Sequence, residues 1–211
     1  MADPVLVFDL DGTLIHSAPE IHGVARDVLA QEGLPELSYE LITSFVGNGL
    51  PTLVSRILVQ LGLPGTGEQH HRMVEHFESI YQQRFDLTSL YPGVMSMLHD
   101  LSGRHRLAIC TNKPQAPTRA VLAHFGLTDF FSVVIGGDTL PRRKPDPLPL
   151  HQAIRDSGGG DAIFVGDSEV DADTARNAQI PFALFTGGYR KTAVEDLGAK
   201  WIFDHHDEFR P

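Results

Sequence analysis

The chain has 211 residues, 42% hydrophobic and 21% charged, a composition typical of a globular protein with one sizeable core and room for a smaller module. Its 17 basic and 27 acidic residues give a formal charge of −10, which repels nucleic acid phosphates and anionic membrane surfaces and leaves a small molecule as the expected partner. The lone cysteine, Cys110, excludes an intramolecular disulfide and a thiolate zinc cluster; with no basic leader or membrane-length apolar run near Met1, a cytoplasmic location is expected.

Residues 5–8 form the first short apolar run, which reads as a strand and leads directly into Asp9-Leu10-Asp11-Gly12-Thr13. Roughly 95 residues separate it from the next such run, where a single crossover needs only about a dozen or two. Within that gap, residues 17–81 carry apolar positions at helical spacing, including Ile21, Val24, Val28, Leu53, Ile57, Met73 and Phe77, and predict an inserted helical module. Residues 1–16 and 82–211 are then expected to form an α/β core. Its further strands are predicted at 107–110, 133–135, 162–165, 182–185 and 201–203, with helices at 94–101, 117–125, 148–157, 171–178 and 192–197. Continuous rather than alternating hydrophobicity suits strands covered on both faces, so the expected fold is a doubly wound parallel sheet.

Ligands in such sheets bind beyond the carboxyl ends of the strands, so the segments that follow the strands carry the candidate site. Asp9 and Asp11 follow the first, Thr111-Asn112-Lys113 the second, and Gly166-Asp167-Ser168-Glu169-Val170-Asp171 the fourth, with Lys144 in the preceding loop. Carboxylates gathered at one edge require a cation, and an all-oxygen donor set favours magnesium. Lys144 offers a positive charge to an anionic nucleophile and substrate, while the Thr111 hydroxyl and nearby amides can hold phosphoryl oxygens. No Ser-His or Cys-His pair accompanies them, and the set suits a carboxylate nucleophile passing through an aspartyl-phosphate.

Phe8-Asp9-Leu10-Asp11-Gly12-Thr13-Leu14, Thr111-Asn112, Lys144-Pro145-Asp146-Pro147 and Gly166-Asp167-Ser168-Glu169-Val170-Asp171 resemble, in order, the four motifs of the haloacid dehalogenase superfamily. The helical insertion is similar to that superfamily's first class of cap. Ser17-Ala18-Pro19-Glu20-Ile21, Phe45-Val46-Gly47-Asn48-Gly49 and Leu90-Tyr91-Pro92-Gly93-Val94 resemble phosphoglycolate phosphatases in particular. The resemblance implies a phosphatase acting on a small phosphorylated metabolite. In it Asp9 attacks phosphorus and binds Mg2+, and Asp11 handles the proton while its backbone carbonyl touches the metal. Asp167 ligates the metal, Asp171 holds its water shell, Thr111 and Asn112 bind the phosphoryl group, and Lys144 steadies the charge. The sequence departs from the pattern at His16, where the family usually has an aspartate at the cap hinge.

Gly47-Asn48-Gly49 precedes Leu50 and Pro51 and reads as a turn into a helix, whose first amides can meet a substrate carboxylate. Arg190 is a further candidate anion contact, weighed against a solvated position. The pairs His70-His71 and His205-His206 lack metal-ligand spacing and are expected at a solvated surface. Asp11 counts against a dehalogenase. All four lysines lie outside 17–81, which counts against a Schiff-base phosphonate hydrolase. A sugar-phosphate mutase or a non-catalytic phosphate-binding module on the same fold are the competing expectations.

Overall fold

The computed structural model of the chain describes residues 3–82 and 84–211. The core sheet consists of β1 (Val5–Phe8), β4 (Leu107–Cys110), β5 (Phe131–Ile135), β6 (Ala162–Gly166), β7 (Phe182–Phe185) and β8 (Trp201–Phe203), all paired in parallel in the order β5-β4-β1-β6-β7-β8. A two-residue antiparallel ribbon, β2 (Ile15–His16) with β3 (Ser89–Leu90), stands apart from it. The sheet order reverses at β1, so the topological switch point lies beside the strand that ends in Asp9.

Strand β1 shows why continuous apolar runs form this sheet. Leu6 and Phe8 pack into one core cluster, against α5 (Val94–Ser102) and α6 (Gln115–His124). Val5 and Val7 enter the other, against α7 (Leu148–Asp156) and α8 (Glu169–Ala178). All four are fully buried, as a central strand covered on both faces requires.

The long gap holds α1 (Ala18–Gln31), α2 (Tyr39–Ser44), α3 (Leu50–Gln60) and α4 (Glu68–Tyr81), which share a separate apolar cluster that includes Val24, Val28, Ile57, Met73 and Phe77. Pro19 and Pro51 occupy the first turns of α1 and α3, where a missing amide hydrogen removes nothing from the helix. Among the described residues no helix is long and apolar enough to cross a membrane.

Two local expectations change. The segment predicted as a helix at 192–197 forms only one 3-10 turn, Val194–Asp196. Ala193 is extended, and Gly198 turns the chain at φ +66°, which leaves too few residues to propagate an α-helix. The ribbon of β2 and β3 was not predicted, because two residues carry no detectable period.

The insertion joins the core through specific polar ties. The Tyr189 hydroxyl accepts hydrogen bonds from the amides of Ser17 (2.9 Å) and Ala18 (3.0 Å), two groups that α1 leaves without helical partners. Where the chain leaves α4, the fully buried Glu20 pairs with Arg84 Nε at 2.8 Å and accepts from the Leu87 amide at 2.7 Å. Replacing Tyr189 by Phe keeps the ring and deletes the acceptor. The variant is expected to lose about 1–2 kcal/mol in urea unfolding, the usual effect of stranding helix-start amides.

Candidate active site

Asp9 follows the last residue of β1, and its amide donates to Val165 of β6 (2.9 Å), so the nucleophile candidate is fixed by the sheet itself. The next turn is tight: the Leu10 carbonyl accepts from the amides of Thr13, Leu14 and Ile15, and this turn brings Asp11 back over the strand ends. Asp9, Asp11, Thr111, Asn112, Gly47 and Gly49 all line one cavity of ≈ 140 Å³ between the strand ends and the helical insertion. Apolar walls come from Ile21, Val46, Leu50, Leu53 and Phe77 of the insertion.

Lys144 lies behind Asp9. Its ammonium is 2.9 Å from Asp9 Oδ1 and 2.7 Å from Asp171 Oδ1, with all three side chains buried. The Asp9 contact is an ion pair without hydrogen-bond alignment, so Oδ1 remains a buried oxygen with no donor directed at it. Burial opposes charge on Lys144, but the Asp171 and Asp9 carboxylates outweigh it and raise its pKa. On Asp9 burial prevails over the attraction of Lys144, and its pKa is raised to about 6.

Asp171 has a double task. Its Oδ2 accepts from the amides of Asp167 (3.2 Å) and Ser168 (3.1 Å) and from the Ser168 hydroxyl (2.8 Å), which builds a capping box at the start of α8. Asp167 is held by Thr13 Oγ1 at 2.8 Å and the Tyr189 amide at 2.7 Å. Two glycines make room for it: a Cβ on Gly12, which has φ +90°, would fall 2.5 Å from Asp167 Oδ2, and one on Gly188 would fall 2.2 Å from it. Burial first, then the charges of Asp171 and Asp9, push the Asp167 pKa far upward.

One oxygen from each of Asp9, Asp167 and Asp171 lies within 4.8 Å of the others. Three buried carboxylates against one ammonium leave two negative charges, the complement of a divalent cation. The all-oxygen donor set therefore fits a magnesium-type ion. Asp171 also positions Lys144 through Oδ1 and the Asp167 amide through Oδ2, and it belongs to the same carboxylate cluster.

Other candidates fall differently. Both Asn112 amide hydrogens are engaged, by the carbonyls of Gly47 (2.9 Å) and Lys144 (3.0 Å), so this side chain ties the insertion to the core. Asn48 does not line the cavity and accepts from Arg56 at 2.8 Å within the insertion. Arg190 donates to the Thr186 carbonyl, away from the cavity. His206 corrects the surface expectation: it is buried beside Phe185 and Phe203, and its Nε2 lies 2.7 Å from the Thr13 carbonyl. Burial pushes its pKa down to about 4, so the ring supports the motif turn in neutral form. His70 has its Nε2 2.8 Å from the Pro51 carbonyl. Just before the insertion, the His16 imidazole lies within 3.5 Å of the hydroxyls of Tyr39, Tyr91 and Tyr189.

Lys113 and Tyr81 were not assigned from sequence. The Lys113 ammonium bridges both Asp11 oxygens at 3.2 and 3.4 Å and donates to the Tyr81 hydroxyl at the end of α4. Burial lowers the Lys113 pKa, against the opposing pull of Asp11. The available signal was its place directly after Thr111-Asn112 at a strand end.

Fold, site and relatives together define the class, a phosphatase on a doubly wound parallel sheet. Residues 6–185 match the sequence model of the haloacid dehalogenase-like hydrolases, and the chain belongs to that family. It is 48% identical over 207 residues to a phosphoglycolate phosphatase of Cereibacter sphaeroides, covering 97% of this chain and 95% of the relative. It is 46% identical over 195 residues to one from Rhodobacter capsulatus, covering 92% and 89%. The crystal structure of a predicted phosphoglycolate phosphatase from Haemophilus somnus superimposes with a TM-score of 0.87 at 29% identity, covering 96% of this chain and 94% of that one.

Replacing Lys144 by Met strands two buried carboxylates. The variant is expected to lose about 3–5 kcal/mol in chemical denaturation, far more than exposed ion pairs such as Arg176–Asp173 contribute.

Proposed function

We propose that the protein hydrolyses 2-phosphoglycolate to glycolate and phosphate, with Asp9 as nucleophile, Asp11 as acid and base, and Mg2+ as cofactor. The observation that carries this reading is the small cavity in which Asp9, Asp11 and Thr111 face apolar side chains of the insertion. At ≈ 140 Å³ it is well below the roughly 300–1,000 Å³ of pockets for drug-sized ligands and suits an ester of few atoms. The names of the relatives agree with that size.

In this mechanism an Asp9 oxygen attacks phosphorus, and the bond from phosphorus to the ester oxygen breaks as Asp11 gives that oxygen a proton. Glycolate leaves, and the phosphoryl group stays on Asp9. Asp11 then takes a proton from water, whose oxygen attacks the same phosphorus; the bond from phosphorus to the Asp9 oxygen breaks, phosphate leaves and the Asp9 carboxylate is restored. Thr111 and neighbouring amides hold phosphoryl oxygens, and Lys144 balances charge on Asp9. Asp9 and Asp167, with the Asp11 carbonyl, would hold Mg2+, which when bound neutralises phosphoryl charge. Residues 17–81 serve as the cap that excludes water, with Gly47 and Gly49 at the substrate side. The buried Cys110 thiol, pushed up to about 12 by burial, takes no part in this mechanism.

A panel of phosphate esters with and without Mg2+ is the test. Metal-dependent release of phosphate with clear preference for 2-phosphoglycolate is expected, and equal or better turnover of hexose phosphates overturns the substrate assignment. Asp9→Asn is expected to lower turnover about 10,000-fold or more with an unchanged fold; an active variant removes the nucleophile assignment.

Metal binding should also depend on pH in a direction that Asp9 and Asp167 share, since burial raises both carboxyls. The folded pKa of Asp9 is raised, so the protonated form favours the folded state at low pH, and that contribution disappears as pH rises through about 6. Above that pH the ionised ligand is available to the metal. The rise in Tm caused by millimolar Mg2+ should be large at pH 7.5 and shrink as pH falls through 6, as differential scanning calorimetry can measure.

A further inference from the structure

Lys113 is the only basic side chain among the described residues that line the cavity, where Asp9, Asp11, Glu78 and Asp138 are acidic. Its ammonium touches both sides of that space: the two Asp11 oxygens at 3.2 and 3.4 Å on the core, and the Tyr81 hydroxyl on α4 of the insertion, whose ring centroid lies 3.9 Å away. The lysine side chain is 4% exposed, so this charge is held inside the cavity and not in solvent.

A cavity with this excess of carboxylates repels a substrate that brings a carboxylate of its own, unless a cation stands at the right end. Lys144 cannot serve there, being 1% exposed and paired with Asp9 and Asp171 behind the nucleophile. In a 2-phosphooxy carboxylate the carboxylate carbon lies two bonds from the ester oxygen that Asp11 would protonate. A cation held against Asp11 is therefore within contact range of that carboxylate.

We propose that Lys113 is the residue that selects carboxylate-bearing phosphate esters, by exchanging its pairing with Asp11 for the carboxylate of the substrate. This rests on the substrate reading above and deepens it. In the exchange the ammonium keeps an anionic partner and its contact with Tyr81, while Asp11 is released toward the ester oxygen. A neutral ester offers no replacement anion, and Asp11 stays paired with Lys113. Selectivity then arises on the core side of the cavity, and Tyr81 from the insertion holds the lysine in place.

The test compares kcat/KM for 2-phosphoglycolate with that for 2-hydroxyethyl phosphate, which has the same chain length and no carboxylate, using the full-length protein with Mg2+. The wild type is expected to favour 2-phosphoglycolate, Lys113→Met to lose roughly 30-fold or more of that preference, and Lys113→Arg to keep most of it. Should the methionine variant not fold, Lys113→Gln, which keeps a polar head between Asp11 and Tyr81, reads the same ratio. If the neutral variant slows both esters equally and keeps the wild-type ratio, the proposal is overturned while the substrate reading stands. A wild type without preference overturns the substrate reading together with the role given to Lys113.

Discussion

The ion pairs of Lys144 with Asp9 and Asp171 are the constraint on which the rest of the site depends. Each partner belongs to a different stretch: the end of β1, the loop before α7 and the first turn of α8. Buried charges separate only at a large penalty, so the pairs bind these stretches into one unit. The same Asp171 carboxylate caps α8 and accepts from the Asp167 amide, which means that the group holding Lys144 also sets the direction of the neighbouring carboxylate. Gly12 and Gly188 then permit the approach of Asp167, since any side chain there would occupy the space of its oxygens.

This arrangement explains which parts of the molecule were legible in the sequence. Central parallel strands must be apolar on both faces, so runs such as 5–8 and 182–185 identify themselves, and the residues directly after them become candidate ligands of the switch point. Asp9, Asp11, Thr111 and Asp167 belong to this group because backbone position alone delivers them. Side chains whose role is set by packing were less legible. His206 sits beside a second histidine in a polar stretch, and only the aromatic surroundings of Phe185 and Phe203 make it a buried support for Thr13. Lys113 and Tyr81 meet across the boundary between core and insertion, where no local period reports a contact. Asn112 has the right position, but its amide hydrogens serve the backbone of Gly47 and Lys144.

The start of the insertion shows the same division between pattern and packing. The structure surrounds the His16 ring with the hydroxyls of Tyr39, Tyr91 and Tyr189. Burial lowers the His16 pKa, so a neutral imidazole among neutral phenols is the favoured state. Tyr189 connects this cluster to both functional regions, through its hydroxyl at the start of α1 and its amide on Asp167. The insertion and the carboxylate cluster are thus linked by one residue, although position 16 touches neither Asp9 nor Asp167.

The two aspartates of the first motif are chemically identical and only two positions apart, so any difference between them must come from their surroundings. Asp9 faces Lys144 and the carboxylate cluster, which holds one of its oxygens still without a hydrogen bond from any donor. Asp11 faces Lys113 and, through it, Tyr81 of the insertion. One lysine is enclosed by fixed carboxylates and cannot change partners, whereas the other stands in the cavity, where an incoming anion can compete for it. The lysine beside Asp9 is thus fixed by the fold, while the lysine beside Asp11 faces the cavity.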